Sequence, residues 1–463
     1  MLSFLILVPG LVSLYYVIRQ RVDIAFLWLY LPCLLFLPDY YAYRLPHLPP
    51  VSAAQASVIP IAVAVLVQSL SRWKLSRMDL WVALYVVSLV ASEILRERVF
   101  NDGVFLSLLG IISMLLPYII GRQLIEPRLR LPVVRNWVLL ILCLLPEALY
   151  EYRFGASIFV RMGIVLGLGD LPWSVQYRSG HPRISMSFSD AELAGIAFAV
   201  TFFFNLWLME LNKNDRRSQL SPRIGKWLAK LEKYYIPVLL LPAFVVLTQS
   251  RGPMLGAALG FLVMQCTRFK TIRQIRIASV CAIILLVVAV AGAFVYFQQY
   301  TSPAEGVALT EQQESAMYRK MLLQNYQPAL EQGGWLGWGI QSYPIFPGQK
   351  SIDNDFLLVQ LIQGRLGITL WYIILAESLW NAFRNTWRAK NREDIVFAFA
   401  HLAGLLTFWL TLTTVYLGEQ LPQIFFLVLG WQQSLDFRET QQQRRPDGQQ
   451  SDNARFKFKR VIA

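Results

Sequence analysis

Apolar runs long enough to cross a bilayer recur from one end of this 463-residue sequence to the other. A helix needs about 20 largely apolar residues to cross the hydrocarbon core. Backbone in lipid must also satisfy its own hydrogen bonds, which leaves helices or closed barrels as the spanning forms. The runs fall at roughly 2–18, 24–38, 56–70, 79–94, 103–120, 133–150, 190–209, 235–249, 253–266, 278–298, 355–380, 395–416 and 420–435. They predict an all-α, polytopic membrane protein with about 12–13 transmembrane helices. A barrel would show short segments of alternating polarity, and the sequence has none. Composition agrees: charged residues make up 16% and hydrophobic ones 56%, against about a quarter charged in soluble domains. The first run lacks the basic flank and small-residue site of a cleavable signal. Cys33, Cys143, Cys266 and Cys281 all fall within apolar runs and read as core residues, with no disulfide framework.

A net charge of +14 would suit a nucleic-acid binder, but the distribution of the charge argues for topology instead. Arg19 and Arg21, Arg72 to Arg77, Arg122 to Arg135, Lys213 to Lys233, Arg268 to Arg276 and Arg384 to Arg392 occupy one set of loops. These alternate with loops of mixed or acidic charge, so the basic set is expected on the cytoplasmic side. Thirteen spans put the N-terminus outside; twelve, with the first run lying in the interface, put it inside. The external segments are then about 39–55, 95–102, 151–189 and 299–354. The first of these, LPHLPPVSA, reads as an extended cap holding His47, and LRERVFND reads as a solvated turn. Segment 151–189 is too broken by glycine and proline to span, and its aromatic content suggests an ordered loop against the membrane. Three units follow: N-terminal spans and loops over 1–182, a membrane core over 183–436, and a disordered basic cytoplasmic tail over 437–463.

The long polar interruption at 299–354 holds a helical stretch, TEQQESAMYRKMLLQNYQPALEQ, then the turn GGWLGWG, then QSYPIFPGQKSIDND before the next apolar run. Arg319 lies in the helical stretch, and Asp353-Asn354-Asp355 opens the run. Arg251, in QSRGPMLG, marks a tight junction between two spans, held by Gly252 and Pro253. Arg183 precedes SMSFSDAELAG, which carries Asp190 and Glu192. Three arginines on three external segments suit a phosphate-rich headgroup, because a guanidinium fork binds phosphate oxygens bidentately and keeps its charge. Plainer readings stand beside this one. Arg251 could snorkel to lipid phosphates, Arg319 and Arg183 could be solvated, and Asp190, Glu192, Asp353 and Asn354 could simply start helices. His47, His181 and His401 have no ligand spacing, so no metal or other cofactor is expected; His401 suits a polar contact between helices. GGWLGWG follows no strand–helix unit and reads as a turn with interfacial tryptophans rather than a phosphate cradle.

S-R-G at a span junction, an external arginine on a loop helix, G-W-G around Gly339 and an asparagine-containing triplet opening an apolar run resemble the O-antigen ligase/polymerase family over roughly 183–370. The resemblance implies a metal-independent, inverting glycosyltransferase of the bacterial inner membrane, with its active site facing the periplasm. Its donor would be an undecaprenyl-diphosphate-linked oligosaccharide, and its partners the bilayer and other polysaccharide export machinery. Arg251, Arg319 and Arg183 would then bind the diphosphate, Gly252, Gly339 and Asn354 would shape the site, and Asp353, Asp190 or Glu192 would be the base. Ligases of the family place His-Asn where this chain has Asp353-Asn354. That departure favours a repeat-unit polymerase over a ligase. A flippase for the same lipid-linked sugars is the rival from another class; it would show internal repeats or helices broken at the bilayer midplane. An inactive assembly subunit is a third reading.

The charge alternation makes a direct prediction. In a background without native cysteines, cysteine at Ile345 should react with an impermeant thiol reagent in intact cells, and cysteine at Leu220 should not. Labelling at 220 would reverse the orientation.

Overall fold

The computed structural model describes the chain except for residues 1, 45–48, 97–99, 169–174, 179, 214–235, 270, 302–310, 347–351, 419 and 436–463. His47, the basic loop at 214–235 and the tail therefore lie outside the described residues. Among the described residues the fold is all-α apart from two small antiparallel pairs, Ala42–Tyr43 with Val51–Ser52 and Tyr177–Arg178 with His181–Pro182. Seven helices among the described residues are long and apolar enough to cross a membrane: Ala53–Arg72, Arg77–Arg96, Asn101–Gln123, Pro127–Phe154, Ala191–Leu211, Asp355–Arg388 and Arg392–Thr411. Shorter apolar helices cover Ser3–Ile18, Val22–Phe36 and Pro237–Leu247. Arg251–Gln265, Ile272–Tyr300 and Leu421–Gln433 complete the set of expected apolar runs. Ala191–Leu211 and Arg392–Thr411 form the centre of the bundle, and most of their length is buried. Cys33 and Cys266 are buried, but Cys143 and Cys281 are exposed. The expectation of four core cysteines is corrected for these two: in a membrane helix, an apolar run faces lipid as readily as protein.

Contacts between helix ends sort the loops into two faces. On one, Arg122 donates to the Lys74 and Gln433 carbonyls, Arg276 to Trp387 and Ser434 to Ile125, while Arg130 and Arg392 pair with Asp394 and Glu210. Every one of these residues belongs to the basic loops or sits beside them. On the other face Tyr41 reaches Phe159, Ser187 reaches Leu35, Gln420 reaches Leu34 and Glu93 receives the Ile340 N–H. A described segment of each long non-basic loop takes part. The two sets are called the basic face and the loop face below.

The run from Asp355 to Arg388 is not one continuous span. It would measure about 50 Å as an unbroken helix, and it breaks at Gly364, whose φ of 67° and ψ of −158° leave helical space. A break orphans peptide groups, and in lipid these are costly unless a neighbour supplies partners. The GGWLGWG turn supplies them. Trp338 and Gly339 donate to the Leu361 and Ile362 carbonyls, while Arg365 and Leu366 donate back to Gly334 and Trp335. Ser92 also donates to the Ile362 carbonyl, and Ser88 to the side chain of Gln363. The turn is thus a plug for a helix break, which its sequence did not disclose. Trp335 is exposed, as an interfacial tryptophan would be, but the Trp338 indole donates inward to Ala329.

Both ends of the piece before the break sit at the loop face. Asp355 receives the Leu417 N–H and donates its own to Leu412, just past Arg392–Thr411, and Ile362 lies against Ser92 near the end of Arg77–Arg96. This piece also forms a second small core with the loop helix Glu311–Gly333, in which Leu357 and Leu361 pack with Leu322, Tyr326 and Ala329. It belongs to the loop rather than to the membrane crossing.

The interlock tests simply. Gly337 (φ +73°) and Gly364 (φ +67°) face each other so closely that a methyl on either would strike backbone, whereas Gly334 (φ +61°) opens on empty space. Gly364→Ala and Gly337→Ala should each destabilise the detergent-solubilised protein by more than about 2 kcal/mol, from positive φ plus steric conflict. Gly334→Ala should cost about 1–2 kcal/mol, from φ alone. Thermal unfolding of the three variants is the measurement.

Candidate functional site

The site begins at a buried arginine. Arg183 is 8% exposed, and a guanidinium that cannot shed its proton must find acceptors when buried. Its Nε donates to the Thr248 carbonyl (3.1 Å), Nη1 to Gln176 Oε1 (2.7 Å) and Nη2 to Ser250 Oγ (2.7 Å), with Glu192 Oε1 3.4 Å from Nη2. Three segments are tied by one side chain: the long loop before it, the turn at 248–250 and the start of the helix from Ala191. The turn is shaped to accept. Gln249 holds a left-handed φ of 51°, uncommon for a non-glycine residue. Its carbonyl takes a hydrogen bond from Arg178, while the Thr248 carbonyl takes one from Arg183.

The backbone just after Arg183 is held by a carboxylate. Glu151, fully buried, accepts from the N–H groups of Ser185 (2.9 Å) and Met186 (2.8 Å) and from Ser185 Oγ (2.9 Å). Met186 also has a positive φ, 53°. Between Glu151, Gln176, Arg183, Ser185 and Asp190 lies a polar cavity of about 30 Å³, room for one or two waters.

Ser250 precedes the helix Arg251–Gln265, so Arg251 stands at its first position, exposed. That helix presents Gly252, Gly256 and Gly260 to Arg392–Thr411. A methyl would press on Thr414 and Thr411 at the first, on Thr407 at the second and on Phe203 and the Ala403 carbonyl at the third. Small residues at four-residue spacing let membrane helices approach closely, and here they fix the level at which Arg251 leaves the bundle. Among the described residues Arg251 closes no hydrogen bond or ion pair. Arg319, on the loop helix, has a buried Nε with no hydrogen-bond partner.

Electrostatics links these groups. Burial pushes the Arg178 guanidinium below its usual pKa, and the positive charges of Arg183, Arg251 and Arg319 add to the effect while Glu192 opposes it. Glu192 in turn lies within electrostatic reach of Asp190, Arg183, Asp353 and Arg319. Every residue expected as a base or a diphosphate ligand is therefore part of one cluster. Arg251 and Arg319 bring positive charge that no ion pair among the described residues offsets, which suits a bound anion.

Several residues of the cluster also make structural contacts that the sequence reading did not give. Arg183 spends its donors on protein and acts as a tether. Asp190 caps a helix, accepting the Glu192 N–H at 2.7 Å as well as the Gln176 side chain. Asn354 caps the next helix through the Leu357 N–H at 3.1 Å. Gly339 serves the helix break, and Gly252 the helix contact. Sequence reasoning missed Arg178, Gln176 and Glu151. The signal for Arg178 was present, an arginine five residues before Arg183 in the same aromatic loop; nothing local marks the other two. His401 is buried among Phe204, Phe397 and Trp431, with ring centroids 4.6–5.3 Å away, and is a packing residue.

Comparison with curated proteins gives no match. A comparison with protein families does: residues 236–372 match the family described as O-Antigen ligase. The matched stretch takes in the strained turn, Arg251, the loop helix with Arg319, the GGWLGWG plug and the broken helix. Over residues 236–372 the chain is thus similar to the O-antigen ligase family, which supports the resemblance to O-antigen ligases and polymerases.

Proposed function

We propose that this protein polymerises undecaprenyl-diphosphate-linked oligosaccharide repeat units at the outer face of the bacterial inner membrane. The reaction is a metal-independent, inverting glycosyl transfer. The observation that carries this reading is the pairing of two uncommitted arginines, Arg251 and Arg319, with a carboxylate cluster at one end of a membrane bundle. The acceptor hydroxyl attacks the anomeric carbon from the side opposite the diphosphate. The bond from that carbon to the diphosphate oxygen breaks, its electron pair leaves with the diphosphate, and the hydroxyl proton passes to a carboxylate. Arg251 and Arg319 stabilise the charge that develops on the leaving group, the largest contribution in most such reactions. Glu192 and Asp353 are the favoured bases, because they lie within electrostatic reach of each other and Glu192 of Arg319 as well. Arg178 completes the positive wall.

A polymerase is favoured over a ligase by Asp353-Asn354 standing where ligases of the family have His-Asn. The flippase reading gains one supporting feature, the broken helix at Gly364. That break lies between contacts at the loop face, though, and a transporter's break belongs at the bilayer midplane.

Lysine substitution separates gripping from solvation. Arg251→Lys and Arg319→Lys each keep the charge but lose the planar fork. A charge-assisted hydrogen bond contributes about 1.5–3 kcal/mol, so each variant should transfer roughly ten- to hundredfold more slowly from purified lipid-linked repeat units, with membrane insertion unchanged. Full activity in both would return them to plain surface charges.

The base is tested separately. Of Glu192→Gln and Asp353→Asn, at least one should lower turnover on the order of a hundredfold, the usual contribution of general base catalysis. In cells, its loss should leave single repeat units on the lipid. Full-length polymer left on lipid would instead identify a ligase.

A further inference from the structure

A second site lies at the opposite end of the bundle, far from the arginine cluster. Between the start of Arg77–Arg96, the basic-face end of the broken helix and the end of Leu421–Gln433 is an open cavity of about 700 Å³. Its walls include Arg77, Glu377, Trp380, Asn381, Arg384 and Gln433. The volume is in the range of small-molecule sites. Arg77 and Arg384 lie within electrostatic reach of each other, and Arg388 adds a third positive charge. Among the described residues neither Arg77 nor Arg384 closes an ion pair, although Glu377 on the same wall lies within electrostatic reach of Arg384. Gln433 adds an independent observation. Its Nε2 is buried and has no hydrogen-bond partner among the described residues, while its carbonyl is fixed by Arg122 at 3.1 Å. A buried amide donor left unpaired beside two free guanidiniums calls for an acceptor that the protein does not supply.

We propose that this cavity binds the phosphodiester headgroup of a membrane glycerophospholipid between Arg77 and Arg384. Three observations select a lipid over a free anion. The cavity sits at the basic face, where headgroups of one leaflet collect. Trp380, 61% exposed on its rim, has the amphipathic ring suited to headgroup depth. Leu80 and Tyr372, both more than half exposed, continue outward from the same helices as walls for acyl chains. Glu377 gives the site a further preference. Set on the wall near Arg384, it accepts an amine, so an ethanolamine headgroup binds better than a glycerol one.

The full-length protein, purified in mild detergent, tests this by native mass spectrometry after exchange into phosphatidylethanolamine or phosphatidylglycerol. Thermal unfolding with each lipid or with inorganic phosphate is the companion measurement. The wild type should retain phospholipid and be stabilised by it. Arg77→Gln/Arg384→Gln should lose at least about tenfold in occupancy, as expected for two charge-assisted contacts. Arg21→Gln/Arg128→Gln removes the same charge from the same face outside the cavity and should retain wild-type occupancy. Glu377→Gln, a single change on the wall, should abolish the preference for ethanolamine while keeping the lipid. Unchanged occupancy in the first variant, equal loss in the second, or equal stabilisation by inorganic phosphate would each overturn the lipid site. An unaltered ethanolamine preference in Glu377→Gln would overturn the role of Glu377.

Discussion

One buried guanidinium organises the loop face. Charge held away from water is costly unless it is fully hydrogen-bonded, and Arg183 meets that demand with a carbonyl, an amide oxygen, a hydroxyl and a carboxylate drawn from three parts of the chain. Breaking such a set leaves an uncompensated buried charge, which costs far more than the intact set contributes. The segments it joins are therefore coupled. The turn at 248–250 keeps its left-handed residue, a conformation costing about 1–3 kcal/mol, because two arginines occupy the carbonyls that this conformation presents. Glu151 repeats the device one layer further back, holding Met186 in the same conformation. Strain placed so close to two free arginines is a means of positioning: the turn sets where Arg251 begins its helix.

A second constraint holds the cover over that cluster. The loop helix Glu311–Gly333 is polar overall and could not remain in place by burying one face alone. It is fastened at its end by the exchange of peptide hydrogen bonds between the GGWLGWG turn and the broken helix. It is fastened along its length by the small core with Leu357 and Leu361. Arg319 is carried on this assembly, so its place relative to Arg251 depends on a helix break more than forty residues further along the chain. Glycine is required on both sides of the interlock because two backbones approach where a side chain would stand.

The two ends of the bundle use arginine in opposite ways. At the loop face Arg183 is held by a carbonyl, an amide oxygen, a hydroxyl and a carboxylate and Arg178 by one carbonyl, while Arg251 closes no hydrogen bond or ion pair among the described residues. At the basic face Arg122, Arg130, Arg276 and Arg392 fasten helix ends to each other, and Arg77 and Arg384 are left facing a cavity. In each case the uncommitted guanidiniums stand beside ones already paired, and the paired ones fix the backbone that carries them.

Apolar runs of spanning length and the alternation of basic loops sufficed to define an all-α membrane bundle with two distinct faces, because hydropathy and loop charge are local properties that the bilayer reads one segment at a time. The helical stretch of the loop, the span junction at Arg251 and the candidate carboxylates were legible for the same reason: each is a polar residue where apolar sequence stops. The sequence did not reveal that the run from 355 to 388 breaks at Gly364, since hydropathy continues unchanged through Gln363-Gly364-Arg365. Nor did it reveal that GGWLGWG fills that break, or that Arg183 ties three segments of the chain together. Those depend on which peptide groups and guanidinium donors find partners across hundreds of residues. Whether a polar side chain is spent or free is decided by its neighbours in space, and only the tertiary structure brings those neighbours together.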